Sequence, residues 1–331
     1  MAVDFHTLIS HNKRNSWLLV LSFIAFVMIL GLVIGYASGM YVGGPDAAAP
    51  YGIGVTVLAV MLAVIGSLIS YYGGASAILS MSGARALDKQ DDPQLYNVVE
   101  EMAIAAGIPP PTVYLIEDTA PNAFATGRDP KHGVVAITTG LRNKLSRDEL
   151  QGVIAHEIAH IRHLDIRFAL LMATLVGVVV LLCDMFLRSL WWGAWGRGGR
   201  SASRRTARSG GSGGRGGGGA AAILMVIALL MAILAPILAR IIEMAFSRQR
   251  EYLADAAAVE FTRNPDGLAG ALAKISTDPD VLDVANRATA PMYIVHPIRH
   301  LESRSSTVFD SHPSIKDRVG RILSLKTGQQ A

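Results

Sequence analysis

Three residues of this chain have the types and the spacing of a metal site. His156, Glu157 and His160 form an H-E-x-x-H sequence. Side chains at i and i+4 share one face of a helix, so both imidazoles can reach one tetrahedral zinc ion. Glu157 follows the first histidine directly. It lies beside the metal, where a carboxylate can take a proton from the attacking water. Burying two histidines and a glutamate among Val153, Ile154, Ala155, Ile158 and Ala159 is costly without a metal or partners. A catalytic zinc needs a third protein ligand. The metzincin pattern would place Gly at position 163 and His at 166, but the chain has His163 and Ile166. The alternative is a glutamate on a second helix. Glu251 and Asp255 lie one turn apart in Arg250-Glu251-Tyr252-Leu253-Ala254-Asp255. Glu251 is placed to ligate, and Asp255 to accept the N–H of a ligand imidazole. Glu243 is the reserve ligand.

Local signals build the element that carries the motif. Ser146 and Glu149 form an S-x-x-E capping box, which opens a helix running through His160. His163 lies nearly two turns beyond His156, too far to share its ion, and reads as a polar residue on a helix face. Upstream, Thr112–Ile116 and Gly133–Thr138 are rich in Val, Ile and Thr and read as strands. Pro121–Gly127 lies between them. An extended segment beside a catalytic site can pair with a peptide backbone as an added strand, with Asn122 and Ala123 supplying the main-chain groups. His312 precedes Pro313, which suits the first turn of a helix running to about Leu325.

These elements must sit at a membrane. Charged residues are 17% of the 331, against a usual ~25%, and mean hydropathy is +0.37. That excludes a disordered chain and argues against an ordinary soluble globule. One cysteine, Cys183, excludes an internal disulfide framework and a Cys₂His₂ or Cys₄ zinc site. A net charge of +4 without interleaved basic and aromatic residues predicts no nucleic-acid partner. Trp17–Gly39 and Tyr51–Tyr72 contain no charge, and each is long enough to span ~30 Å of hydrocarbon. Phe168–Trp192 and Ala220–Ile242 are weaker candidates: the first carries Asp184 and Arg188, a possible i,i+4 pair, and the second contains Pro236. Between them lies Gly193–Gly219, a Gly/Ser/Arg-rich linker.

The expected organisation is therefore four parts. Residues 1–72 hold two transmembrane helices. Residues 73–167 are the first half of a catalytic domain, with the H-E-x-x-H helix. Residues 168–242 form a helical hairpin, read as transmembrane helices three and four. Residues 243–331 complete the domain and supply the third ligand. Lys13 and Arg14 precede the first span, Arg85 and Lys89 follow the second, and the loop at 40–50 has neither Lys nor Arg. This bias puts both polar blocks in the cytoplasm. Six arginines in the linker oppose it if the hairpin crosses.

Two N-terminal spans, Ala155-His156-Glu157-Ile158-Ala159-His160, Pro121-Asn122-Ala123-Phe124-Ala125-Thr126-Gly127, Arg250-Glu251-Tyr252-Leu253-Ala254-Asp255 and Ser311-His312-Pro313-Ser314 occur together. The combination resembles the HtpX-type membrane zinc metalloproteases, gluzincins related to the CAAX prenyl proteases, over most of the chain. The resemblance implies a mainly α integral membrane protein whose α+β metallopeptidase domain has a small β-sheet. It implies one Zn²⁺ held by His156, His160 and Glu251, with Glu157 as catalytic base. It adds His312 and Arg318 as residues that could stabilise the oxyanion. It implies an endopeptidase of the cytoplasmic (inner) membrane, embedded in the lipid bilayer, with its catalytic domain facing the cytoplasm and misfolded membrane proteins as substrates. The rival reading is a membrane-anchored binding protein or holdase with a structural zinc. Oligomeric state is left open.

Overall fold

The computed structural model describes residues 5–198, 217–280, 282, 293–294 and 313–326. His312 and residues 199–216 of the linker lie outside these, as does the side chain of Glu243. In order, the elements are α1 (Phe5–Gly43), α2 (Pro45–Met81), β1 (Arg85–Ala86), α3 (Pro93–Ala106), β2 (Thr112–Ile116), β3 (Ala123–Thr126), a 3₁₀ turn (Pro130–His132), β4 (Val134–Thr138), α4 (Thr139–Lys144), α5 (Arg147–His163), α6 (Asp165–Gly198), α7 (Gly217–Thr262), α8 (Pro265–Thr277) and α9 (Ile315–Lys326). The described residues are mainly helical, with one small mixed sheet among them. The chain divides into two compact units, 1–67 with 172–240 and 68–171 with 241–331.

The first unit is helical and apolar. Among the described residues three helices are long and apolar enough to cross a membrane: Leu21–Gly43, Pro45–Met81 and Asp165–Arg188. The fourth apolar run is represented by a shorter stretch, Met225–Ala239. The helices reach further than the apolar runs alone indicate. Both ends of the Gly-rich linker are helical, α6 continuing to Gly198 and α7 starting at Gly217. Leu32, Val42, Ile53, Val57 and Val64 are exposed on α1 and α2, a surface suited to hydrocarbon. The two helices meet through small residues. A Cβ on Gly35 would lie 2.6 Å from the Tyr51 carbonyl, and one on Gly39 would lie 2.6 Å from that of Ala47. Asp184 and Arg188 pair at 2.7 Å as their i,i+4 spacing allows.

The second unit has a conventional two-layer core. Sheet order is β1-β2-β4-β3, with β2 and β4 parallel and the outer strands antiparallel to their neighbours. The helix α3 is capped by Asp92, whose carboxylate accepts the Leu95 N–H, and closes on Gly107 in the left-handed conformation. Val98, Val99 and Met102 from α3 pack with Val113, Val135 and Ile137 from the sheet. They meet Leu150, Val153, Ile154 and Ile158 of α5, Leu268, Leu272 and Ile275 of α8, and Ile322 of α9. The site-bearing helix α5 is thus embedded in the core.

Candidate metal centre

Helix α5 opens with the capping box. The Ser146 hydroxyl accepts the Glu149 N–H, and the Glu149 carboxylate accepts the Ser146 N–H. One turn later the helix enters the core, so His156 and Glu157 are almost completely buried, at 0% and 2% exposure. The helix stops at Leu164, a non-glycine residue in the left-handed region (φ 62°), whose N–H bonds the His160 and Ile161 carbonyls. His163, expected on a polar face, is buried instead.

Helix α7 reaches α5 through small side chains. Ala159 packs against Ala254 and Ala257, all three buried. With nothing larger in between, Glu251 comes up to the two imidazoles. His156 Nε2 and His160 Nε2 lie 3.2 Å apart. The Glu251 oxygens lie 3.6 Å from the first nitrogen and 3.5 Å from the second. Ligand atoms from these three residues all fall within 4.8 Å of one another.

The outer nitrogens of the imidazoles are held as well. His156 Nδ1 donates to Asp255 Oδ1 at 3.0 Å, and His160 Nδ1 donates to Asp165 Oδ2 at 3.0 Å. That fixes each ring with Nε2 turned inward, the orientation a metal-ligating histidine needs. Two inward nitrogens and a carboxylate are a donor set that fits a divalent metal ion. Asp165 was not expected from the sequence.

Arginines sit behind the carboxylates. Arg318, on α9 and 0% exposed, donates through Nε to Asp255 Oδ2 (2.9 Å) and through Nη2 to Asp255 Oδ1 (2.6 Å). Its Nη1 bonds the Ile294 carbonyl (3.0 Å) and lies 3.3 Å from Glu251 Oε2. The guanidinium is therefore engaged on the groups around the centre. Arg250 donates to Asp165 Oδ1 at 2.7 Å.

Electrostatics follow from burial. Burial pushes the Glu157 carboxyl up, against the pull of His156 and His160. Burial also raises Asp255, but Arg318 and His156 outweigh it and hold that carboxyl below its ordinary value. Burial lowers Arg250 to about 10 despite Asp165.

Asn122 and Ala123 lie at the start of the edge strand β3. Asn122 exchanges main-chain and hydroxyl hydrogen bonds with Thr138, and its side chain accepts the Ala123 N–H at 3.1 Å. The Ala123 carbonyl accepts the Ile294 N–H at 2.9 Å. The main-chain groups expected to serve a substrate are engaged within the chain.

Comparison with known proteins agrees with this arrangement. Residues 89–326 match peptidase family M48. A "Protease HtpX homolog" from Listeria monocytogenes serotype 4b is 43% identical over 319 residues, covering 96% of this chain and 98% of its own. One from Dictyoglomus thermophilum is 41% identical over 320 residues, covering 96% and 94%. The crystal structure of S. mikatae Ste24p has a TM-score of 0.50 at 17% identity, covering 96% of this chain and 67% of that one, a likeness of fold. The match takes in β2, β3 and β4 with α5, the start of α6 that holds Asp165, α7 and α9, so it spans every element that builds the centre: the chain belongs to peptidase family M48 and is a membrane metallopeptidase.

Proposed function

We propose that this chain is a zinc-dependent endopeptidase of the cytoplasmic membrane, with misfolded or damaged membrane proteins as its substrates. The observation that carries the chemistry is the convergence of His156, His160 and Glu251 within 4.8 Å, beside the buried carboxyl of Glu157. His156, His160 and Glu251 would hold the ion. When bound, zinc supplies Lewis acidity that polarises the scissile carbonyl and makes water a stronger acid. Glu157 accepts the proton of the attacking water on its carboxylate and returns it to the leaving amine nitrogen. Burial raises its proton affinity, which suits a base that must hold the proton between the two steps. Asp255 and Asp165 keep the imidazoles oriented. Arg318 holds Asp255 and Glu251, a positioning role that its contacts favour over direct service to the oxyanion. His312 is retained as a candidate for that service.

Substrate is proposed to add along the outer edge of β3 at Asn122 and Ala123, which requires Ile294 to yield the Ala123 carbonyl. The catalytic domain combines 73–167 with 243–331 and faces the cytoplasm, as the Lys/Arg distribution around the first two spans favours. Quality control of membrane proteins follows from the resemblance to HtpX-type proteases.

The deciding experiment is cleavage of casein and of a model membrane protein by the detergent-purified full chain, with and without chelator. Chelation is expected to abolish cleavage and added zinc to restore it. Glu157→Gln is expected to keep its metal and lose cleavage. Undiminished cleavage by Glu157→Gln would overturn the assignment.

A further inference from the structure

The two ligand imidazoles are backed by similar devices built from different elements. His156 leans on Asp255, which Arg318 of α9 holds. His160 leans on Asp165, which Arg250 of α7 holds at 2.7 Å. We propose that Arg250 is a positioning residue for the metal centre, one that sets His160 against Glu251 before any ion arrives. This rests on the reading of His160 as a ligand.

Three observations support it. First, the pair is buried: the side chains of Arg250 and Asp165 are only 6% and 5% exposed. Desolvating an ion pair offsets most of its attraction, so such a pair is poorly explained as a source of stability. Second, the guanidinium is fixed in two directions. It donates to Asp165, and its Cζ lies 3.7 Å from the centroid of the Phe168 ring. A planar fork satisfies both demands at once, whereas an ammonium cannot. Third, Arg250 directly precedes Glu251. The route His160–Asp165–Arg250 therefore runs from one ligand to the residue next to another, and it ties α5 to α7 without passing through the ion.

The test uses the purified full chain loaded with Co²⁺, whose visible spectrum reports ligand geometry, with Zn²⁺ measured by chelator competition. Arg250→Met is expected to weaken binding of both ions by about tenfold, within the range for groups that orient ligands. It is also expected to shift the cobalt bands of the folded protein, a readout that lost stability alone would not move. Arg250→Lys is expected to show a smaller loss. Asp165→Asn combined with Arg250→Met is expected to be no worse than the more severe single change, because both cut one route. Wild-type affinity and spectrum in folded Arg250→Met would overturn the proposal. Should Arg250→Met fail to fold, Arg250→Lys takes its place, and wild-type affinity and spectrum there would overturn it equally. His160→Ala separates the two levels. If it keeps full affinity, the ligand reading itself fails. If it loses the ion while Arg250→Met does not, only the role of Arg250 fails.

Discussion

Asp255 joins two kinds of hydrogen bond at one carboxylate: it accepts from His156 Nδ1 and from two nitrogens of Arg318. Asn at that position keeps the shape and loses the charge. Asp255→Asn is expected to weaken metal binding by about 10–100-fold without abolishing it, measured by chelator competition. Wild-type affinity would remove Asp255 from the centre's support. The sequence made Asp255 legible because it lies one helical turn from Glu251, on the same face. Asp165 does the same work for His160 but could not be read that way. It lies beyond the end of α5, and the left-handed turn at Leu164 breaks the periodicity that relates it to His160. A rule that looks past the C-cap for the next acidic residue would have found it. Arg318 was legible as a residue near the centre, but which of its neighbours it serves depends on α9 packing against the core, which no local pattern encodes.

Elements differ in how openly the sequence declares them. The capping box of α5 and the Val/Ile/Thr runs of β2 and β4 are local signals, and the elements follow them. The strand β1 is two residues long, and the order β1-β2-β4-β3 is set by long-range pairing, so neither was readable. The packing of α5 on α8 was hidden for a similar reason. It depends on Gly152 and Gly267, each of which leaves room for the other helix's backbone. A Cβ on Gly152 would lie 2.6 Å from the Leu268 nitrogen and 2.8 Å from its Cα. Backbone cannot give way as a side chain can. Gly152→Ala is therefore expected to destabilise the second unit by about 1–3 kcal/mol, read from chemical unfolding, and to lower metal affinity because α5 carries both histidines. A second prediction concerns the start of α3. Burial raises the Asp92 carboxyl, but Arg142 and the Leu95 N–H outweigh it and leave its pKa below the ordinary value. The folded state thus prefers the ionised form. The resulting stability is present in full above the unfolded pKa of ~3.9 and fades as pH falls through the lower folded value. Asn also caps helices well, so Asp92→Asn isolates the Arg142 interaction. The variant is expected to be less stable by about 1 kcal/mol near neutral pH, with the difference shrinking below about pH 4.

At the scale of the whole molecule, hydropathy made the membrane helices legible, whereas their true lengths were not. Residues from Gly217 through Glu251 to Thr262 are assigned to α7, so a stretch that composition divides into span and domain is helical on both sides of that division. Helix α5 and the part of α7 that carries Glu251 belong to the second unit, and the chain leaves that unit after Leu171 and returns at Ile241. An excursion that starts and ends in one aqueous compartment crosses the bilayer an even number of times. We therefore expect position 213 of the linker to face outward, despite the arginines around it, because two apolar runs of about 20 residues gain more by spanning than the charge bias opposes. Gly213→Cys in a Cys183→Ala background, probed with a membrane-impermeant thiol reagent, is expected to label from the outside. Labelling only from the cytoplasmic side would replace the two crossings by a hairpin that does not span.

The separation of the ligands along the chain also has a consequence for biosynthesis. Ribosomes deliver the imidazoles of α5 first, Glu251 only after the intervening hydrophobic hairpin, and Arg318 later still. A nascent chain, or one terminated early, carries the whole H-E-x-x-H helix yet lacks Glu251, the carboxylate proposed as its third ligand. On the proposed ligand set, proteolytic competence is expected only once Glu251 has been made, after the hydrophobic hairpin.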